Sequence, residues 1–213
     1  MQDPRLIDIK VHTLAAFGYN EEIDSIPIIF IHGFTASIVF WKRCQVPLVD
    51  EQFQWYSLSL PGHYPAMLPE GFEDPDLTPE LFPELLIPAI QQLVDSRPVI
   101  LAGHSTGGFA ALLIAEAAPN MIKGIVWVGG FVKGEWSSIS GQMQRQVKHG
   151  ALSRLLVRTQ LKLMGLHPKL LKSSLKHFTA DLDAVYAWSE IDAWVAENQI
   201  FAKNLSPDAM IHY

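Results

Sequence analysis

The stretch Val99 to Pro119, VILAGHSTGGFAALLIAEAAP, decides the fold because it joins two apolar runs through a lone serine set between glycines. The first run is short and β-branched, which is typical of a buried strand, and the second is long enough for a helix. Ser105 stands at their junction, within Gly103-His104-Ser105-Thr106-Gly107. The sequence therefore predicts a tight strand-to-helix turn with a serine at its apex.

A serine in the pattern G-x-S-x-G, after a strand and before a helix, is typical of an enzyme nucleophile. Glycines two residues away on either side let strand and helix approach without a Cβ clash, while the turn forces strained backbone angles on the serine. The hydroxyl then stands at the carboxyl end of the sheet, where the helix N-terminus stabilises negative charge. The alternative interpretation of Ser105 is an ordinary helix N-cap.

Further apolar runs alternate with helical patterns on both sides of this turn. Such alternation predicts an α/β protein whose mostly parallel sheet is covered by helices on both faces. Residues 5–22 indicate one or two less buried strands at an antiparallel edge. The predicted parallel strands are Pro27–Ile31, Phe53–Leu60, the run before Ser105, and Ile122–Gly130.

The segment before the third parallel strand indicates a helix with two interruptions. Thr78 is the expected N-cap and Pro79 the expected first helical residue. Pro83 and Pro88 follow, and each is expected to bend or break the helix.

After Gly130 the strand pattern gives way to helical patterns rich in tryptophan, methionine and leucine. We therefore predict a core at residues 1–133, a helical cap at 134–208, and the start of a truncated core strand at 209–213. The cap residue Trp136 is expected to contact substrate.

Composition excludes several functional classes. The chain has 213 residues, a net charge of −6 and 49% hydrophobic residues, so it can form a large core and is a poor ligand for nucleic acid. Its single cysteine, charged N-terminus and lack of an 18-residue apolar run predict a cytoplasmic protein without a membrane partner. No metal-ligand spacing or nucleotide fingerprint is present, so no metal and no cofactor are expected.

Three motifs in this order, His32-Gly33-Phe34, Leu60-Pro61-Gly62-His63 and the serine turn, resemble the α/β-hydrolase fold family. The resemblance is to its branch of small-molecule serine hydrolases, which includes esterases, thioesterases and carbon–carbon bond hydrolases. It covers residues 6–135 well and the cap only in general character. The second motif departs from the family pattern at Ser59 and Tyr64.

The resemblance implies a role for several of these residues. Ser105 would be the nucleophile, and the backbone amides of Phe34 and Thr106 would form the oxyanion hole. His32 would support the oxyanion loop, and His104 would pack beside the elbow. Phe34 and His104, with the cap tryptophan, would line the substrate site.

The base and acid that a serine nucleophile needs are not evident in the sequence. In this fold the chain order is serine, acid, histidine, and the acid is expected only beyond Tyr213, so the chain looks truncated. Four histidines follow Ser105, at positions 149, 167, 177 and 212. His212 is the candidate base, and Asp192 precedes it in the right order. Missing strands would leave an apolar sheet edge, which favours self-association.

Two functional hypotheses follow from these residues. One is a serine hydrolase acting on a small, mainly apolar ester, thioester or related carbonyl compound. The other is a catalytically impaired binding module that keeps the pocket and the elbow but has lost the acid and the base.

Overall fold

The computed structural model describes residues 3–34, 36–41, 52–63, 65–66, 69, 78–132, 138–174, 183, 191–192, 195–196 and 199. The chain divides into two compact units, residues 1–134 and residues 135–213.

The first unit contains a six-stranded sheet. Its strands, in the order β1-β2-β4-β3-β5-β6, combine an antiparallel pair of outer strands with four parallel ones. This confirms the predicted α/β class and the antiparallel edge. The strands are β1 Arg5–Ile9, β2 His12–Tyr19, β3 Ile28–Ile31, β4 Trp55–Leu58, β5 Val99–His104 and β6 Ile122–Val128.

Strand β2 is more buried than the sequence pattern predicts. Leu14 and Ala15 are fully buried and Ala16 is 1% exposed. The physical reason is position, because β2 lies between β1 and β4 and is not itself an edge strand. The outer position belongs to β1, whose residues alternate between exposed and buried from Leu6 to Ile9.

Both faces of the sheet are covered at its central parallel strand, β3. Successive residues of a strand point to opposite faces, and all four residues of β3 are buried. On one face, Phe30 packs with Trp41 at a ring separation of 4.9 Å, and its ring meets Trp55 edge to face at 5.4 Å. Residues 40–41, whose backbone is helical, lie on this face.

Helix α1, Leu81–Val94, is continuous, so neither Pro83 nor Pro88 breaks it, and the predicted bend stays a prediction. Pro83 lies in the first turn, where a backbone N–H has no intrahelical partner in any case. The carbonyl that loses its partner to Pro88 belongs to Glu84, which is exposed and can bind water. The buried stripe opposite, which includes Leu85, Leu86 and Ile90, stabilises the helix.

The start of α1 also differs from the prediction. Glu80 is the N-cap residue and makes no capping hydrogen bond through its side chain. Thr78 and Pro79 belong to a preceding turn, in which their carbonyls accept hydrogen bonds from Leu81 and Phe82.

Helix α2, Thr106–Ala117, follows β5 directly and packs on β5, β6 and β3. It also packs against α1, where Phe82 and Phe109 meet edge to face at 6.3 Å. A short 3₁₀ turn, Pro119–Met121, leads into β6.

Strand β6 ends the order of the described sheet and exposes apolar side chains. Val126, Trp127 and Val128 are 52%, 46% and 42% exposed. An open apolar strand of this kind is the structural condition under which self-association is expected.

The second unit is helical in its described part, with α3 Ser138–Lys148, α4 Ala151–Leu166 and α5 Pro168–Ser174. Its role as a cap and the boundaries at 133 and 208 stay predictions. Trp136 and residues 209–213 lie outside the described residues. Within the described part of the chain, none of the helices combines the length and apolarity that crossing a bilayer requires.

Candidate functional site

Ser105 occupies a strained turn between β5 and α2. Its backbone angles are φ 52° and ψ −118°, which an L-residue other than glycine rarely adopts. It is the N-cap residue of α2, yet its hydroxyl makes no capping hydrogen bond. The ordinary N-cap interpretation therefore does not account for a serine here, and the strained turn matches the predicted elbow.

The two glycines of the motif are required by close approach. A Cβ added to Gly103 would overlap the backbone of Gly107. A Cβ added to Gly107 would in turn overlap the carbonyls of Ile31 and His32 at the end of β3. These contacts bring β5, α2 and the loop after β3 together, so the motif positions the loop as well as the serine.

The loop after β3 lies beside the nucleophile. A Cβ placed on Gly33 would stand 3.1 Å from the Cβ of Ser105 and 3.0 Å from His104 Nδ1. Phe34 follows in the loop, and Thr106 is the first residue of α2, where amides have no intrahelical acceptor. Both predicted oxyanion donors are thus in segments next to Ser105, and their role as donors stays a prediction.

His32 braces this loop as a neutral ring. Its Nε2 accepts a hydrogen bond from the Leu60 amide at 3.1 Å, so its proton is on Nδ1, which donates to the Gly33 carbonyl at 2.8 Å. Burial, and then the neighbouring His63, lower the pKa of His32 well below 6.5. Both ring nitrogens are engaged in supporting the backbone, as the resemblance implies.

His63 completes the brace from the other loop, a role that the sequence analysis did not assign. Its Nε2 lies 2.7 Å from the Phe34 carbonyl oxygen and its Nδ1 lies 3.0 Å from that of Pro61. Burial lowers the pKa of His63 to about 4, so the ring is neutral at pH 7. The available sequence signal was a histidine in each of two loops that leave adjacent parallel strands at the same sheet edge.

His104 packs at the elbow, as expected. Its ring stacks on Phe40 with centroids 5.1 Å apart and planes 26° apart. Burial lowers the pKa of His104. Its Nδ1 is buried and has no hydrogen-bond partner among the described residues. Its predicted contact with substrate stays a prediction.

No base for Ser105 is found among the described residues: none of their histidines or carboxylates hydrogen-bonds its hydroxyl. His149 and His167 are exposed residues of the second unit, and the candidate base His212 lies outside the described residues. Asp192, the candidate acid, accepts a hydrogen bond from Lys172 Nζ at 2.7 Å.

Two cavities of about 360 and 410 Å³ are found among the described residues, and neither includes Ser105. Pro98 lines both, and Pro27 lines one, so they open at the amino ends of β5 and β3, opposite to the elbow. The same described residues contain no group of three or more histidine, cysteine or carboxylate side chains arranged to hold a metal ion.

Solved structures share this architecture. A hydrolase from Pseudomonas aeruginosa PA01 matches with a TM-score of 0.61 over 99% of this chain and 72% of its own, at 15% identity. Naproxen esterase (carboxylesterase NP) from Bacillus subtilis matches with a TM-score of 0.66 over 93% of this chain and 61% of its own, at 12% identity. A thioesterase domain from the curacin biosynthetic pathway matches with a TM-score of 0.51 over 58% of this chain and 44% of its own, at 21% identity.

At these identities the likenesses establish the fold, and the chain spans less than two thirds of the esterase and of the thioesterase domain. A search of curated proteins gives no match. The sequence model of the alpha/beta hydrolase family matches residues 28–210, which is most of the chain. The strained serine turn and the adjoining loop accord with that match, and the chain belongs to the alpha/beta hydrolase family.

Proposed function

We propose that this protein is a serine hydrolase in which Ser105 attacks the carbonyl carbon of a small ester, thioester or related compound. The observation that carries the proposal is the left-handed φ of Ser105 at the end of β5. Strain of about 1–3 kcal/mol at a non-glycine residue persists where the surrounding structure enforces it, and such residues cluster at active sites.

The proposed reaction has two stages. Ser105 Oγ forms a bond to the carbonyl carbon and its proton passes to a base. The base then gives that proton to the leaving alcohol or thiol as the C–O or C–S bond breaks and the acyl-enzyme forms. Water then attacks the acyl-enzyme and releases the acid. The Phe34 and Thr106 amides would donate to the oxyanion in both stages, and each such donor can contribute about 10²–10³-fold to the rate.

His212 is the proposed candidate for the base, with Asp192 as the acid that orients it. Asp192 is 85% exposed at its side chain and pairs with Lys172, so it would have to exchange that partner for the histidine.

An apolar substrate is supported by the side chains next to the elbow. Phe34 is buried beside the nucleophile loop, and Phe40 stacks on His104, the residue before Ser105. Esterase and thioesterase activities belong to two structures with the same fold, which agrees with a carbonyl substrate.

A non-catalytic binding module is the second candidate. It is favoured by one observation, that the described residues supply no hydrogen-bonded base for Ser105. Such a module would bind the same apolar acyl compounds without turning them over.

Steady-state hydrolysis of p-nitrophenyl esters from acetate to octanoate, with the Ser105→Ala variant as control, tests the two candidates. The hydrolase predicts turnover that rises with chain length and is lost in Ser105→Ala. Binding of a non-hydrolysable ester analogue with equal affinity to both proteins, and no turnover by either, would instead support the binding module.

A further inference from the structure

Two loops at the carboxyl edge of the sheet are cross-linked by a reciprocal pair of histidines. His32, in the loop after β3, accepts a hydrogen bond from the Leu60 amide in the loop after β4. His63, in the loop after β4, reaches back to the Phe34 carbonyl in the loop after β3. Each loop therefore holds the backbone of the other through one imidazole ring.

The two rings are in contact and shielded from solvent. Their centroids are 5.0 Å apart at an interplanar angle of 63°, and His32 and His63 are 0% and 1% exposed. The Phe34 ring also meets His63 edge to face at 5.7 Å. A buried pair of this kind keeps its geometry, because any rotation would leave polar atoms without partners.

The pair acts on the two peptide planes that flank Phe34. A peptide is planar, so the Gly33 carbonyl and the Phe34 amide share one plane, and His32 Nδ1 holds that plane at 2.8 Å. The Phe34 carbonyl belongs to the next plane, which His63 Nε2 holds at 2.7 Å. Holding both planes sets φ and ψ of Phe34 and hence the direction of its N–H.

Only one of the two carbonyl contacts of the neutral His63 ring can be a hydrogen bond, and the distances favour Nε2 as its donor. A neutral imidazole has one N–H, and both ring nitrogens of His63 face carbonyl oxygens. Nε2 lies 2.7 Å from the Phe34 carbonyl oxygen, whereas Nδ1 lies 3.0 Å from the Pro61 carbonyl oxygen, so the contact to Phe34 is the shorter one. The other carbonyl, that of Pro61, is only two residues away in the same loop, so its contact adds no link between the loops.

We propose that His63 is a positioning residue that, by donating Nε2–H to the Phe34 carbonyl, fixes the Phe34 amide in the orientation that an oxyanion donor requires. This inference rests on the proposed function of Ser105. It goes beyond the loop-supporting role of His32, because it assigns the second peptide plane to a different residue in a different loop.

Two variants of His63 separate positioning from packing. His63→Gln places an amide N–H near the position of Nε2 and should keep the donor, whereas His63→Phe fills the same space without one. His12→Gln is the matched control, because His12 is also a buried histidine but lies in strand β2, away from both loops.

The first measurement is the second-order rate constant for labelling of Ser105 by an ethyl fluorophosphonate, whose phosphoryl oxygen needs the same donors. We expect His63→Phe to lower it by roughly 10–100-fold, because loss of a whole oxyanion donor costs about 10²–10³-fold. His63→Gln and His12→Gln should stay within about threefold of the wild type. Equal rates in wild type and a folded His63→Phe would overturn the proposal.

The second measurement is the tautomer of His63 in the ¹⁵N-labelled wild-type chain, read from two-bond ¹⁵N–¹H correlations. We expect the Nε2–H form, and an Nδ1–H form would overturn the proposal even if His63→Phe fails to fold. This readout does not need a reactive serine. A wild-type chain that is not labelled but shows Nε2–H would therefore contradict the proposed function while supporting the brace itself.

Discussion

The Ser105 amide donates a hydrogen bond to the Val128 carbonyl at 3.0 Å, which fastens the serine turn to the end of β6. The Ser105 carbonyl in turn accepts from the Gly108 and Phe109 amides, so the residue is held on both sides. This arrangement explains how a serine can keep a φ of 52°. The neighbouring elements enforce this backbone strain, and variants at position 105 can measure it as a difference in the free energy of unfolding.

Replacing Ser105 by glycine should stabilise the fold relative to replacement by alanine. Alanine keeps the Cβ and with it the strain, whereas glycine adopts a positive φ without a steric penalty. We expect the free energy of unfolding to be about 1 kcal/mol higher in Ser105→Gly than in Ser105→Ala, as measured by urea denaturation. A less stable glycine variant would show that the turn carries no strain.

Gly107→Ala should be strongly destabilising because its Cβ would overlap the carbonyls of Ile31 and His32. We expect a loss of about 2 kcal/mol or more in the free energy of unfolding, within the range of overpacked sites. Gly124→Ala is the matched control, since among the described residues no atom beyond its chain neighbours lies within 4 Å of a Cβ there, and it should change stability by no more than about 0.5 kcal/mol. Equal effects at both positions would contradict the close approach of β3 and α2.

Stability should rise between about pH 4 and pH 6.5. Burial lowers the pKa of His63 to about 4 in the folded chain, whereas in the unfolded chain it is about 6.5. Between these values the unfolded state binds more protons, so acidification favours unfolding, with a contribution on the order of 3 kcal/mol from His63. The contribution is fully present above pH 6.5 and is lost as the pH falls to 4.

The His63→Gln variant tests this assignment, because glutamine does not titrate. Its urea-unfolding free energy should depend less steeply on pH over the same interval than that of the wild type. Burial also lowers the pKa of His32, which is present in both proteins. The unfolding free energy of His63→Gln is therefore expected to keep a smaller dependence on pH. Identical slopes would mean that His63 is not held neutral by burial.

Self-association is expected through β6, which ends the order of the sheet among the described residues and exposes apolar side chains. Val126→Lys places a charge on its exposed face and should shift the population toward monomer in sedimentation-velocity experiments. Val11→Lys is the control, since Val11 is 71% exposed in the turn between β1 and β2. A wild-type chain that stays monomeric at high concentration would contradict the expectation.

The strands and the serine turn could be predicted from the sequence because their information is local. The predicted strand Pro27–Ile31 is observed at Ile28–Ile31, and the apolar run before Ser105 is β5. The turn was predictable because two glycines and a serine at fixed spacing have few other structural explanations.

The errors and omissions concern information that is not local. Pro83 and Pro88 are predicted to bend or break α1, yet the helix is continuous, because burial of its apolar stripe outweighs the one intrahelical hydrogen bond that Pro88 removes. His63 received no role because its partner, Phe34, is 29 residues away in the chain. The base is undetermined for the same reason, since a catalytic histidine is defined by its place beside Ser105 and not by its neighbours in sequence.

The most direct test of the central claim is intact-mass analysis of the full 213-residue chain after incubation with a fluorophosphonate, alongside Ser105→Ala. We predict one phosphonyl adduct on the wild type, mapped by peptide sequencing to Ser105, and none on the variant. A folded, monodisperse wild type that stays unlabelled, or that is labelled as fast when Ser105 is replaced, would contradict the assignment of Ser105 as the nucleophile.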